Sequence, residues 1–230
     1  MINLDLNSLS FDDLEWIFHP FLLSTKTLFI SMFLFIFIGL PITYFLAFRR
    51  GKMKTIAEVM VMFPLIFPPI ATGFLLLYLL GKNGLIGKFI SLEIVFSFKA
   101  LVIAAFLAGL PLFVKPIQSA LESFPKSLIE AAQSLGKNRF EIAIFIIFPN
   151  IFRTILSSLI LALARGLGEV GITLMLGGNI IGKTDTISLA IFNAVYDGEN
   201  EKALLLSIVL VVLSLSMFGI INRLNVVKKL

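Results

Sequence analysis

Residues 27–48 read TLFISMFLFIFIGLPITYFLAF, without a single charge. A helix rises about 1.5 Å per residue and the hydrocarbon core of a bilayer is about 30 Å thick, so about 20 such residues span it. With the apolar residues ahead of it, the first span is read as 21–48. Working outward, 56–80, 100–118 and 204–222 also qualify. A fifth span, 142–165, is interrupted by Asn150 and Arg153 and closed by Arg165. The glycine-rich GLGEVGITLMLGGN of 166–179 is too short for an independent crossing and reads as a kinked continuation of that span or a re-entrant piece. The expected fold class is therefore all-α and integral to the membrane, as one domain over 1–230 with about five spans.

Composition agrees. Of 230 residues 58% are hydrophobic and 14% charged, and the mean hydropathy is +1.02, more apolar surface than a soluble domain can bury. The absence of Cys excludes disulfides, thiolate metal sites and cysteine nucleophiles, and His19 is the only histidine. Most metal and acid–base enzyme chemistry goes with them. No metal site and no catalytic residue is expected.

The charges orient the chain. With the link Arg49, Arg50, Lys52 and Lys54 on the cytoplasmic side, five crossings place 119–148 and the tail basic residues Arg223, Lys228 and Lys229 there too. Twelve Lys and Arg then lie inside against six outside, the usual bias. The N-terminus carries Asp5, Asp12, Asp13 and Glu15 but no early Lys or Arg. This suits an exterior location and supplies no basic region for a cleavable signal. Localisation in the cytoplasmic membrane is expected, with the C-terminus inside. A basic total here points to lipid and topology and not to nucleic acid. The prolines crowded into 63–69 (FPLIFPP) form a candidate hinge, against the bland reading of ordinary packing.

Two nucleotide signatures are formal matches only. GGNIIGKT at 177–184 fits the phosphate-loop pattern, and GLGEVG at 166–171 fits the dinucleotide fingerprint. Both devices need the edge of a parallel sheet, which spans on either side preclude, and the charge rule puts Lys183 outside the cell.

The loop 119–148 has a different pattern. Ser123, or Ser127 after Pro125, can cap a short helix that gathers Leu128, Ala131, Ala132 and Leu135 on one face. Gly136 stops it, and a second amphipathic turn starts at Asn138 with Phe140 and Ile144 apolar. Such an elbow suits a partner's cleft, the alternative being a helix lying on the bilayer surface.

Within it, Glu130-Ala131-Ala132-Gln133-Ser134-Leu135-Gly136, followed after nine residues by Ile146-Ile147-Phe148-Pro149, closely resembles the EAA loop of importer-type ATP-binding-cassette permeases. Phe148 stands where that pattern has Leu. The resemblance implies the type I importer transmembrane fold and assigns Glu130, Ala131, Ala132, Gly136, Ile146 and Pro149 to a cytoplasmic loop that docks into a separate ATPase. ATP and magnesium would then bind that partner, with no cofactor in this chain. A narrower resemblance runs through ARGLGEVGITLMLGGNIIGKTDT at 164–186, which is similar to molybdate and tungstate permeases, with Val170 for Phe and Ile181 for Pro. Sulfate permeases share its first part but carry a Ser-Gly-His-type sequence in place of Gly177-Gly178-Asn179.

Arg165 and Glu169 are too costly to face bare lipid, at about 2.5–3.5 kcal/mol each on insertion scales, and their spacing lets them pair on one helix face. They either staple the helix or line a solute path. In the second reading Thr173 and the glycine-rich turn at Gly177, Gly178 and Asn179 offer weak donors to a passing dianion. One copy has too few helices to enclose a path, so a homodimer is expected, in keeping with the family's two permeases on two ATPases. The segment 179–202 either receives an external solute-binding protein or simply connects two helices.

Overall fold

The computed structural model describes residues 11–88 and 93–226; Asp5, Lys228 and Lys229, used in the charge argument, lie outside them. Among the described residues every regular element is helical. The first rod comprises α1 (Phe11–Leu34), a π turn (Phe35–Gly39) and α2 (Leu40–Phe48). A second π turn (Ala143–Ile147) joins the short α7 (Arg139–Ile142) to α8 (Phe148–Leu167). Each π turn is followed two residues later by a proline, Pro41 or Pro149. A proline ring clashes with the carbonyl four residues back and offers it no N–H, and widening the preceding turn relieves both problems.

Among the described residues four helices are long and apolar enough to cross a membrane: Glu15–Phe48, Phe98–Glu122, Arg139–Leu167 and Asn200–Arg223. Among the described residues one further pair is long and apolar enough taken together, α3 (Lys52–Ile66) and α4 (Pro69–Leu80), but it is bent by 120°, the shape of a broken span or a re-entrant loop. The stretch 56–80 is therefore not the uninterrupted span that its hydropathy suggests. The break falls where Phe67 (φ −85°, ψ 148°) and Pro68 (φ −55°, ψ 132°) are extended. Each precedes a proline, whose ring drives the preceding residue out of the helical region.

The bundle is built around α5 (Phe98–Glu122), two thirds of whose apolar stretch is buried against 6% for the outer helix α11 (Asn200–Val226). A helix apolar all round belongs in the middle. Phe113 and Phe106 of α5 flank Phe35 with ring centroids 5.2 and 5.1 Å away, and Phe35, Leu46, Phe113, Val114 and Ile117 are fully enclosed. On its other side α5 meets α8 almost backbone to backbone. A Cβ at Gly109 would stand 2.5 Å from the carbonyl oxygen of Ala162, so the small residue sets the helix separation. The remaining helices are α6 (Lys126–Ser134), α9 (Gly171–Gly177) and α10 (Ile187–Tyr196).

Candidate functional site

The elbow after α5 consists of α6 and α7. Pro125 precedes α6 without any side-chain cap, so neither serine serves as expected: Ser123 Oγ donates back to the Ala120 carbonyl at 3.2 Å, closing α5, and Ser127 lies inside α6. Gly136, at φ 79°, ends α6 in the left-handed conformation, with Gly136 N–H donating to Gln133 O and Lys137 N–H to Ala132 O. Asn138 then caps α7 through a reciprocal box: Glu141 N–H donates to Asn138 Oδ1 at 2.8 Å, and Asn138 N–H donates to a Glu141 carboxylate oxygen at 3.0 Å.

Two roots hold the elbow to the bundle, Ala132 and Ile142, both buried in the core that includes Phe124 and Ile147. The apolar face expected of α6 is thus divided. Ala132 turns inward, whereas Glu130, Ala131 and Gly136 are exposed. So are Leu128 (48%), Leu135 (83%) and Phe140 (73%). Ile146 is half-buried and Pro149 exposed, both at the start of the α7–α8 rod rather than on the elbow itself.

The second group of site residues lies near the far end of that rod, about 30 Å from Ile146 at the helical rise. There α8 stops at Leu167 and α9 starts at Gly171. Glu169, 2% exposed, spans the break: one carboxylate oxygen stands 2.8 Å from Arg165 Nη1 and the other accepts the Ile172 N–H at 2.8 Å. Arg165 thus sits in the last turn of one helix and a carboxylate at the first turn of the next, each sign matched to the helix dipole it meets. Thr173, 3% exposed, lies buried within α9. Gly177 is buried against Leu101, and Gly178 (φ 76°) ends α9 with its Cα facing the Phe96 ring. Asn179, also at positive φ (50°), exchanges amide hydrogen bonds with Asn193 of α10.

The turn carrying the phosphate-loop signature is closed by its own side chains. Gly182 N–H donates to Asp185 Oδ1 and Ile180 N–H to Thr184 Oγ1. The N–H groups of Lys183 and Thr184 both donate to the Ile180 carbonyl, and the buried Asp185 carboxylate repels anions. No strand occurs among the described residues to complete a nucleotide fold.

The break also brings the two interrupted rods together. A Cβ on Gly73 of α4 would stand 2.9 Å from Ile172 Cα, and one on Gly171 would meet Pro69 at 2.7 Å. Sequence reading passed over a further cluster at the opposite face, where Lys54 and Glu58 of α3 meet Lys115, Gln118 and Glu122 of α5. Its sequence signal is the spacing of Lys115, Gln118 and Glu122 along one helix face, polar where the apolar run ends.

The bundle thus presents an exposed, apolar-tipped elbow at one face and a charge-stapled helix break towards the other. The family model described as "Binding-protein-dependent transport system inner membrane component" matches residues 39–226, and the chain belongs to that family. It is a permease subunit of the ATP-binding-cassette importer class and an inner-membrane component. A probable transport system permease protein, NifC, of Clostridium pasteurianum is 38% identical over 76% of this chain and 63% of its own length. The molybdenum transport system permease proteins ModB of Haemophilus influenzae and Escherichia coli K12 are 33% and 32% identical, over 77% and 88% of this chain and 81% and 91% of theirs. The fold is that of a chain of the MetNI methionine ABC transporter in inward facing conformations, with a TM-score of 0.65, 17% identity, and coverage of 94% of this chain and 99% of that one.

Proposed function

We propose that this chain carries molybdate or tungstate across the cytoplasmic membrane as the permease half of an ATP-driven importer, with a separate ATPase and an external solute-binding protein. The observation that carries the reading is the elbow: Leu128, Leu135 and Phe140 are exposed together, while Ala132 and Ile142 root them rigidly to the bundle. Apolar tips on a capped, anchored elbow suit a cleft in a partner better than they suit water. Glu130, Ala131, Ala132, Gly136, Ile146 and Pro149 form and support that docking element. The substrate class rests on the 164–186 sequence and on the relatives described as molybdenum transport permeases.

Two copies enclose the path, each seated on one ATPase and surrounded by lipid, with the whole of 1–230 acting as one transmembrane domain. The N-terminus is outside and the C-terminus inside. The ion pair Lys54–Glu122 supports this orientation by drawing the start of α3 to the same face as the end of α5 and the elbow. Arg165 and Glu169 gate the path at the α8–α9 break, where movement of α9 brings Thr173, Gly177, Gly178 and Asn179 to the anion. Affinity resides in the binding protein, since tight capture along the path would stall transport.

The test is ATP-dependent uptake of labelled molybdate, tungstate and sulfate into vesicles containing the chain with its ATPase and binding protein. Uptake of the first two, unaffected by excess sulfate, is the expected result. Preferential sulfate uptake would reassign the substrate.

A further inference from the structure

Gln118 lies at the end of α5, 4% exposed, and its amide serves two helices at once. Nε2 donates to Glu58 of α3 at 2.8 Å and to Glu122 of α5 at 3.0 Å, while Oε1 accepts from Lys115 at 3.3 Å. Lys54 closes the ring, 2.9 Å from Glu122 and 3.9 Å from Glu58, and Lys115 stands 3.7 Å from Glu58. Two lysines thus neutralise two carboxylates around one buried amide. The apolar contact beside this ring is thin. On the α3 side Val61 and Pro64 are buried and Ala57 packs partly buried against the core, while Met53, Ile56, Val59 and Met60 point away, 58–73% exposed. Polar bonds therefore do much of the holding, and a buried polar hub that keeps every partner is stiff and geometrically specific.

The position of the hub matters as much as its strength. Glu122 is the last residue of α5, three residues before Pro125, which immediately precedes α6 of the elbow. At its other end α3 leads through the 120° break into α4, which packs through Gly73 and Gly171 against α9. We propose that Gln118 is a positioning residue for transport: it locks α3 to the root of the elbow, so that movement of the elbow is delivered through α3 to the paired breaks at α4 and α9. This rests on the reading of the elbow as the ATPase-docking element.

The chain contains no cysteine, so thiol chemistry can be introduced without background. In vesicles holding the full importer, Gln118→Leu is expected to keep ATPase association and ATP hydrolysis while molybdate delivered per ATP falls about tenfold, because the two carboxylates lose their shared donor. A merely structural role would lower uptake and hydrolysis together, and that outcome overturns the proposal. The pair Lys54→Cys and Glu122→Cys provides a second arm. It is expected to transport poorly until a bifunctional maleimide joins the two thiols, and to regain coupling once they are joined. Cross-linking that abolishes uptake would mean that α3 and α5 separate during the cycle, and this contradicts the joint even if Gln118→Leu does not fold. Failure of the unmodified chain to hold its ATPase would overturn the docking reading and the joint with it; failure of the cross-link arm alone removes only the joint.

Discussion

The Glu169 carboxylate holds the Arg165 guanidinium at 2.8 Å with one oxygen and takes the Ile172 N–H with the other, so a single side chain ties the end of α8 to the start of α9. Such a bridge fixes the angle between the two helices, and the proposed gating would require it to open.

Removing Arg165 is therefore expected to cost more than neutralising Glu169. Arg165→Ala leaves a buried carboxylate without its cation, at about 3 kcal/mol, whereas Glu169→Gln keeps an acceptor for Ile172. The order of thermal midpoints in detergent, Arg165→Ala below Glu169→Gln, checks this. If Arg165→Ala also retains full uptake, the pair is a staple and nothing more.

Close helix approach makes Gly109 intolerant of size. Gly109→Val would drive a side chain into the Ala162 carbonyl and the Phe35 ring, and is expected to lower stability by about 2–3 kcal/mol through overpacking. Gly168 has open space around its Cα and an ordinary φ of −87°. Gly168→Ala should leave the thermal midpoint essentially unmoved, and equal losses in the two variants would show that the α5–α8 contact is not close-packed.

Legibility in the sequence followed the kind of interaction. Helical periodicity and glycine chemistry are local, so Gly136 as a stop, Asn138 as a start and the Arg165–Glu169 spacing could all be read from neighbours in the chain. The bend after Ile66 could not be read from hydropathy, because a broken helix and a straight one have the same apolar content; only the consecutive Pro68 and Pro69 hinted at it. Ser123 and Ser127 looked like caps because serine favours that role, but a serine hydroxyl can equally bond back into the preceding turn, as Ser123 does. The Gln118 hub joins residues 60 positions apart, a tertiary pairing that local pattern cannot encode. That α6 would bury Ala132 and expose Leu135 depended on where α5 and α8 placed the elbow.

At the far end of α9 the strained residue is Asn179, at φ 50°. Replacement by Gly and by Ala both remove the amide pair with Asn193, but only Ala keeps a Cβ in the left-handed region, so Asn179→Ala is expected to be about 1 kcal/mol less stable than Asn179→Gly. Chemical or thermal unfolding of the two variants side by side gives the difference directly, and an unchanged midpoint between them would mean that the turn relaxes to another conformation.

The capping box of α7 is a local device with a distant consequence. Asn138→Ala is expected to cost about 1 kcal/mol and to loosen the elbow without disturbing membrane insertion. Faster hydrogen exchange over 137–142, with unchanged exchange in α5, is the expected signature.

Leu135 isolates the central claim, that the elbow is the handle of a separate ATPase. It is 83% exposed, so Leu135→Asp should alter the chain's own stability by no more than about 0.5 kcal/mol. The decisive measurement is co-purification of the ATPase with Leu135→Asp in parallel with the unmodified chain: normal insertion with the ATPase lost is the result expected here, and undiminished association would contradict the docking role of the elbow.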